Sequence, residues 1–192
     1  MISLVRVDNR LIHGQVVEAW LPHLKVSRVA VADDEAASSP LIRAAMALAV
    51  QSAIEVLIQP LERMDFAALS ADAVRTLVLV REVAGATYAA GHGLKLPELN
   101  LGNVHFASGR RQVSPSVFLS PEELAALQQL AGGGVHVEAR AVPSERPLEL
   151  PELQSLAGAG VHVEARAVPS ERALELPELK ERWERARGDA GA

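Results

Sequence analysis

The 192-residue chain contains no cysteine. This absence excludes disulfides, thiolate metal sites and a cysteine nucleophile. Aromatic side chains make up only 3% of the residues, which leaves no visible platform for stacking nucleic-acid bases. The formal net charge is −5, and Arg110-Arg111 is too small a patch to form a basic cluster. Nucleic acid is therefore not expected as a partner.

Long hydrophobic runs are also missing. Although 49% of the residues are hydrophobic, no uninterrupted apolar run reaches the roughly 18 residues that span a bilayer. The first residues enter a strand pattern directly, without a basic segment and a small-residue cleavage site, so no signal peptide is expected. The sequence likewise lacks a glycine-rich phosphate loop, a serine nucleophile elbow and a metal-spaced cluster of His, Asp and Glu. We expect a cytoplasmic protein that needs neither cofactor nor metal.

Apolar, β-branched runs alternate with helical patterns through the first two-thirds of the chain. Strands are predicted over residues 2–7, 28–32, 54–58, 74–80 and 99–104. Helices are predicted over residues 15–24, 40–50, 61–69 and 82–90. Near-continuous apolar strands that alternate with helices are typical of a parallel sheet covered on both faces. The sequence therefore predicts a three-layer α/β/α open sheet that is mainly parallel.

A further helix–strand unit follows. Ser120 and Glu123 stand at capping-box spacing at the start of a helix, which the glycines at 132–134 end. Residues 135–142 then alternate between two faces, which predicts a half-exposed strand at the edge of the sheet. The apolar face carries Val135, Val137, Ala139 and Ala141, and the polar, solvent-facing side carries His136, Glu138 and Arg140.

The chain then repeats itself, because residues 127–152 align with residues 153–178. The two copies differ only at Gln129/Ser155, Gly133/Ala159 and Pro147/Ala173. Two units are too few for a solenoid, so the repeat indicates a duplicated helix–strand unit. We expect residues 135–142 to hold the edge position, because they continue from the well-capped helix. Residues 161–168 would add outside them or pair with another molecule, which permits a homodimer.

The most informative segment comes at the first strand. Asp8-Asn9-Arg10-Leu11-Ile12-His13-Gly14-Gln15-Val16 leaves that strand as a polar loop and returns to a helical pattern after the His-Gly pair. A loop in this place lies at the carboxyl edge of the sheet, where open α/β sheets bind ligands. An imidazole is a nucleophile at neutral pH, an arginine can grip phosphate oxygens, and a helix amino terminus favours anions. The segment can therefore hold a phosphoryl group.

This segment resembles the phosphorylation loop of the mannose/sorbose-type enzyme IIB subunits of the bacterial phosphoenolpyruvate:sugar phosphotransferase system. Three further runs resemble the same family: Asp33-Asp34-Glu35, residues 99–106 and residues 109–112. The resemblance covers residues 1 to about 150. The chain departs from the family at Asn9, where a second Asp is usual, and at residues 49–53, where a Pro-Pro-Gly turn is common.

The resemblance implies that His13 is the phosphoacceptor and that the phosphoryl group attaches to its Nδ1 atom. Arg10 is then the expected clamp on the phosphate oxygens. Gly14 would allow close approach of the backbone at the helix start, and Asp8 would orient Arg10 or the loop.

Other residues are candidates for the same edge of the sheet. Asp33 and Asp34 are expected there, either as loop-capping residues or as part of the site or docking surface. Arg110 and Arg111 are candidates to contact the phosphate or an acidic partner, or simply to lie in solvent. His105 is a weaker candidate for the site.

By this resemblance, residues 1–150 form a IIB-like phosphocarrier domain. It would accept phosphate from a IIA protein and donate it to a sugar at a IIC/IID permease, which could hold it peripherally at the inner membrane. Residues 151–192 would contain the duplicated unit and a terminal amphipathic helix that carries Leu176, Leu179, Trp183 and Ala186 on one stripe. The alternative is a regulatory phosphoprotein that controls partner binding without sugar transport.

Overall fold

The computed structural model describes residues 1–158, 164–165 and 174–175. The chain divides into two compact units, Met1–Gly158 and Ala159–Ala192. The first unit extends beyond the expected boundary at residue 150, because Leu150 and Leu153 are buried in the same core as the sheet.

Seven strands of the first unit form one sheet in the order β3-β2-β4-β1-β5-β8-β9. These strands are β1 (Ile2–Asp8), β2 (Arg28–Ala32), β3 (Glu55–Gln59), β4 (Thr76–Val80), β5 (Glu98–Asn103), β8 (His136–Ala139) and β9 (Leu148–Glu149). Neighbouring strands run parallel, except that β9 is antiparallel to β8. A separate antiparallel hairpin joins β6 (Arg111–Ser114) and β7 (Val117–Leu119). All five strands predicted in the first two-thirds of the chain are present.

Helices cover both faces of this sheet. A π-helical turn (Val16–Trp20) leads into α1 (Leu21–Leu24), and the later helices are α2 (Asp34–Ser38), α3 (Pro40–Ala49), α4 (Phe66–Ala71), α5 (Val83–Gly91), α6 (Pro121–Gly132) and α7 (Leu150–Gly158). Alternate residues of the strands enter opposite cores: Leu4 packs with Trp20, whereas Val5 packs in the same core as Phe66. The predicted three-layer α/β/α fold is confirmed.

Most helix ends follow their local signals. Ser39 accepts a hydrogen bond from the backbone N–H of Ile42, and Ser120 and Glu123 form the predicted capping box. The single helix predicted over residues 61–69 is wrong, because the chain forms a short 3-10 turn (Leu61–Arg63) and then restarts. The side chain of Asp65 accepts the N–H of Ala68 at 2.9 Å and so begins α4 as a new helix.

The edge prediction for residues 135–142 also needs correction. Strand β8 lies between β5 and β9, so the short β9 forms this edge of the sheet. His136 is exposed as predicted, but Glu138 is only 1% exposed, contrary to the expected solvent face. Glu138 is buried because it accepts hydrogen bonds from Asn100 on β5 and from Arg140.

The described residues of the second unit form two short strands, β10 (Glu164–Ala165) and β11 (Leu174–Glu175). They pair with each other in an antiparallel sheet of their own, with Glu164 opposite Glu175. The equivalent residues of the first copy have the same pairing, Glu138 opposite Glu149. This arrangement differs from the expectation that the second strand adds outside the first. Among the described residues of both units, no helix has the length and apolarity to cross a membrane.

Candidate functional site

The loop that follows β1 is held at the carboxyl edge of the sheet by backbone contacts. The N–H of Asn9 donates to the carbonyl of Asn103, at the end of β5, at 3.0 Å. The N–H of Leu11 donates to the carbonyl of Asp8 at 2.9 Å, and Leu11 adopts a left-handed φ of 54°. Its side chain is 1% exposed, so burial in the core stabilises this unfavourable backbone conformation.

Asp8, the last residue of β1, holds the loop through hydrogen bonds to its carboxylate. Its carboxylate is fully buried and accepts a hydrogen bond from the Arg6 guanidinium at 2.8 Å. It also accepts the backbone N–H of Arg10 at 3.1 Å and the Nε–H of Arg10 at 3.3 Å. A buried carboxylate needs such partners, because burial without them is costly. Asp8 therefore orients Arg10 and the loop backbone.

His13 lies above this carboxylate, with its Nε2 atom 3.2 Å from Oδ2 of Asp8. Its other ring nitrogen, Nδ1, faces the helix start, 3.5 Å from the backbone nitrogen of Val16. Burial lowers the pKa of His13 below its usual value, and the positive charges of Arg10 and Arg6 add to this lowering against the opposing effect of Asp8. The imidazole is therefore neutral at neutral pH and can act as a nucleophile.

The clamp expected from Arg10 has a suitable location. Its side chain is 43% exposed, and its guanidinium donates to Oε1 of Gln15 at 2.8 Å. The Asp8 contacts and the Gln15 contact hold the group at the solvent side of the loop that carries His13. At Gly14, a Cβ atom would meet no heavy atom of the described residues within 4 Å, so no contact with them requires glycine there.

Asp33 reaches this loop through an arginine that sequence reasoning missed. It caps α2 by accepting the N–H of Ala36, and its carboxylate receives two hydrogen bonds from Arg81, at 2.6 and 2.8 Å. Arg81 also donates to the carbonyl of Asn9 at 3.3 Å. Burial alone would raise the pKa of Asp33, but Arg81 and the N–H of Ala36 outweigh it and lower the pKa. The only signal for Arg81 was its position directly after an apolar strand.

The remaining candidates make contacts elsewhere. Asp34 accepts the backbone N–H of Leu61 at 2.9 Å. Arg110 forms a two-pronged ion pair with Glu123 and donates to the carbonyl of His105. Arg111 donates to the carbonyl of Ala157 at 3.0 Å. Within the described part of the chain, none of these three residues forms a hydrogen bond or an ion pair with the loop of His13.

Sequence reasoning also missed a polar layer beneath the loop. Arg6 lies opposite Asn100 on β5, and Asn100 lies opposite Glu138 on β8, so the three form one row across the sheet. All three are buried. Each is a polar residue inside or beside an apolar run, which was the one available signal.

A family model described as "PTS system sorbose subfamily IIB component" matches residues 2–158. The chain belongs to this family. It is a IIB phosphocarrier, a phosphotransferase component that acts in sugar phosphotransfer. Nothing in the similarities supports the alternative of a regulatory phosphoprotein.

Similar proteins agree with this assignment. The chain is 31% identical to the N-acetylgalactosamine-specific phosphotransferase enzyme IIB component 2 of Escherichia coli K12, over 75% of this chain and 92% of that protein. It is 34% identical to a probable phosphotransferase enzyme IIB component of Streptococcus pyogenes serotype M6, over 68% of this chain and 84% of that protein.

The fold matches solved structures as well. The crystal structure of the IIBSor domain of the sorbose permease from Klebsiella pneumoniae gives a TM-score of 0.74 at 24% identity, covering 82% of this chain and 99% of that chain. The N-acetylgalactosamine-specific IIB component 1 of Escherichia coli gives a TM-score of 0.72 at 25% identity, covering 78% and 99%.

Proposed function

We propose that His13 of this IIB component carries the phosphoryl group on its Nδ1 atom. The observation that carries the proposal is the orientation of the ring: Nε2 is 3.2 Å from buried Asp8, and Nδ1 faces the backbone N–H of Val16 at the start of the helical turn. With the ring proton on Nε2, beside the carboxylate, Nδ1 is unprotonated. Its lone pair accepts the long 3.5 Å contact from the N–H of Val16, and this contact must open before Nδ1 can attack. A phosphoryl group on Nδ1 would then lie beside a helix amino terminus, which favours negative charge.

The transfer step follows from this tautomer. The Nδ1 lone pair of His13 attacks the phosphorus of a phosphohistidine on the IIA donor. A new N–P bond forms, the donor N–P bond breaks, and its electron pair returns to the imidazole of the donor. The Nε2 proton stays beside Asp8, whose carboxylate stabilises the ring as its positive charge increases. In the second transfer, a sugar hydroxyl attacks the phosphorus, an O–P bond forms, and the N–P bond to His13 breaks. The hydroxyl proton leaves to solvent or to a base on the permease.

Arg10 is the proposed clamp on the equatorial phosphate oxygens. Phosphoryl transfer depends mainly on positioning and charge stabilisation, and a guanidinium can contact two oxygens at once. Asp33 supports the loop through Arg81, and Gly14 is the residue of the loop that follows His13. Asp34, which binds the N–H of Leu61, is not proposed to contact the phosphate. Arg110 and Arg111 belong to the proposed docking side of the molecule rather than to the contacts of the phosphate, because their charges are already engaged beside α6 and α7.

The proposed partners are a IIA phosphodonor and a IIC/IID permease, and the proposed location is the cytoplasm, peripheral to the inner membrane through that permease. Two observations support this proposal. The chain matches proteins named "PTS system mannose-specific EIIAB component", of which it covers 46%. Relatives are named for N-acetylgalactosamine, mannose and fructose, which fits one carrier fold serving different sugars chosen by the permease.

A homodimer through the second repeat is a separate proposal. Its support is the identity of residues 161–168 with residues 135–142, which contain the strand that pairs with β5, because exchange of identical elements is a low-cost route to dimers. Sedimentation of the full chain against a chain ended after Gly158 tests it. A concentration-dependent dimer only in the full chain is expected, and monomers in both would reject the exchange.

Phosphorylation by phosphoenolpyruvate, the general phosphotransferase proteins and a IIA protein tests the main proposal. We expect acid-labile, base-stable label on one peptide that contains His13, and no label on His13→Ala. His105→Ala is the control, since this exposed histidine lies on a neighbouring loop and should label normally. Undiminished labelling of His13→Ala, or loss of label in His105→Ala, would reject the assignment.

Arg10→Ala tests the clamp in the same assay. An exposed ion pair contributes about 0–1 kcal/mol to stability, so the melting temperature should change little. Loss of a charge that stabilises the transferring group costs about 2.7–4 kcal/mol in comparable sites, or roughly 100- to 1,000-fold in rate. An unchanged transfer rate in a folded Arg10→Ala chain would remove Arg10 from the mechanism.

A further inference from the structure

The buried guanidinium of Arg6 is the feature of this molecule that the proposed function leaves unexplained. Arg6 lies in the middle of β1, between the apolar residues Val5 and Val7, and is fully buried. Burial lowers the pKa of Arg6, while the adjacent carboxylate of Asp8 raises it. A buried charge is unfavourable unless it is paired. The Nε atom of Arg6 makes no hydrogen bond with the described residues, so the partners of its two terminal nitrogens indicate what the group does.

Those partners connect two places that are far apart in sequence. One end of the guanidinium donates to Asp8 at 2.8 Å and to the carbonyl of Ala141 at 3.1 Å. The other end donates to the amide oxygen of Asn100 and to the carbonyl of Arg140 at 3.2 Å. A rigid planar group thus joins the carboxylate beneath His13 to the two residues that follow β8.

The surroundings of Arg6 fit this group closely. A Cβ atom at Gly102 would overlap the guanidinium, so only glycine leaves room for it on β5. The Cζ atom of Arg6 also lies 5.1 Å from the centroid of the Trp20 ring. The indole N–H of Trp20 donates to the carbonyl of Ala141 at 2.9 Å, so the helical turn after His13 contacts the same residue that Arg6 contacts.

We propose that Arg6 is a positioning residue for phosphoryl transfer. Its guanidinium occupies the space over Gly102, where it links Asp8 to the two residues that follow β8. Through Asp8, Arg6 fixes the position of the His13 imidazole. The proposal rests on the proposed function of His13. Movement of the two residues that follow β8 would move Arg6, which would in turn move Asp8 and the ring of His13. Because small displacements of reacting groups cost large factors in rate, this coupling acts on transfer and not only on stability.

Titration of His13 in the unphosphorylated full chain tests the proposal without any transfer assay. The charged groups that face the ring are Asp8, Arg10 and Arg6. Histidine ¹⁵N NMR, assigned with His13→Ala, should find the neutral ring protonated on Nε2 in the unsubstituted chain. Protonation on Nδ1 instead would overturn the proposal, whatever the variants do.

Gly102→Ala is the sharpest variant, because it displaces the guanidinium without removing its charge. Asp8 would then be less compensated beside Nε2, so the pKa of His13 should rise. The rate constant kcat for transfer from IIA should fall about 10-fold or more with little change in KM. Gly91→Ala is the matched control, since a Cβ there meets no heavy atom within 4 Å. It should leave the titration and the rate unchanged.

Arg6→Met and Arg6→Lys extend the test if Gly102→Ala does not fold. Met removes the charge and should raise the pKa of His13, whereas Lys keeps the charge and should hold that pKa nearer to its original value. Both lose the two-ended contact and should transfer slowly. A lower melting temperature with unchanged titration and kcat would reduce Arg6 to a structural residue. If the unsubstituted chain accepts no phosphate, the proposed function fails, while the titration still decides the role of Arg6.

Discussion

The described parts of residues 153–178 have the same local structures as the equivalent parts of residues 127–152. Leu127 and Leu153 are equivalent in the repeat, and both are fully buried, one in α6 and the other in α7. Both helices end at equivalent glycines, Gly132 and Gly158. The short strand pairs that follow have identical register. Local sequence thus specifies a helix and an antiparallel strand pair but does not specify which copy joins the main sheet.

One of the three differences between the copies falls where the backbone of the first copy can accept either residue. Gly133 has a φ of −82°, which alanine adopts readily, and the second copy has Ala159 there. Gly134 has a φ of +92°, and the second copy keeps Gly160 at the equivalent position. The second copy has therefore retained the residue that the backbone requires. The copies differ in context, because only the first continues directly from the capping box at Ser120.

The largest expected effect comes from ending the chain at two different points. A chain ended after Gly158 should fold and accept phosphate. A chain ended after Leu150 loses the fully buried Leu153, and removal of a buried leucine side chain costs about 2–5 kcal/mol. It also loses the bond from Arg111 to Ala157. Urea denaturation measures the difference. Equal stability of the two chains would show that α7 is dispensable, as the sequence boundary at 150 implied.

Equivalent glutamates provide the next comparison. Glu138→Ala removes the buried carboxylate to which Asn100 and Arg140 both donate, and breaking such a pair costs about 3–5 kcal/mol. Glu164→Ala, the matched change in the second copy, should alter the unfolding free energy of the first unit by less than about 0.5 kcal/mol. Denaturation of both variants tests this difference. The opposite ranking would mean that the second copy lies beside β5.

Gly133 and Gly134 allow the effect of backbone strain to be compared with the effect of losing a glycine. Gly134→Ala forces a side chain into the left-handed region and should cost about 1–2 kcal/mol. Gly133→Ala copies the natural residue of the second repeat and should change stability by less than about 0.5 kcal/mol. Thermal melting of the two variants distinguishes them. A larger loss from Gly133→Ala would mean that its contact with the carbonyl of Leu130 dominates.

The smallest effect is expected from deleting either complete repeat. Deletion of residues 127–152 and deletion of residues 153–178 give chains that differ only at the three variable positions. In both, a leucine follows the first half of α6, and a glycine occupies the position of positive φ. Both should fold and accept phosphate, with unfolding free energies within about 1 kcal/mol of each other. Calorimetry and the labelling assay check this. If only the chain without residues 127–152 failed to fold, the second copy would be unable to replace the first in the main sheet.

Much of the fold was predictable because its signals are local. The apolar strands, the Ser39 and Ser120 caps and the His13 loop follow from neighbouring residues. The break before α4 was missed because Asp65 acts through its own side chain within an otherwise apolar pattern. The candidate site was predicted only in part. The positions of Asp8, Arg10 and His13 came from one continuous segment, whereas Arg81 and Arg6 act through residues distant in sequence.

The sequence by itself determined the alternating elements, the sorbose-type phosphorylation loop and the helix–strand order of the first repeat, because the apolar periodicity, the helix caps and the loop motif are all patterns of near neighbours. The tertiary structure alone decided that Glu138 is buried rather than exposed. A period of two assigns residues to two faces of a strand, but it does not say what covers each face. Glu138 is buried beside Asn100 and Arg140, and Asn100 reaches it only when β5 and β8 lie side by side.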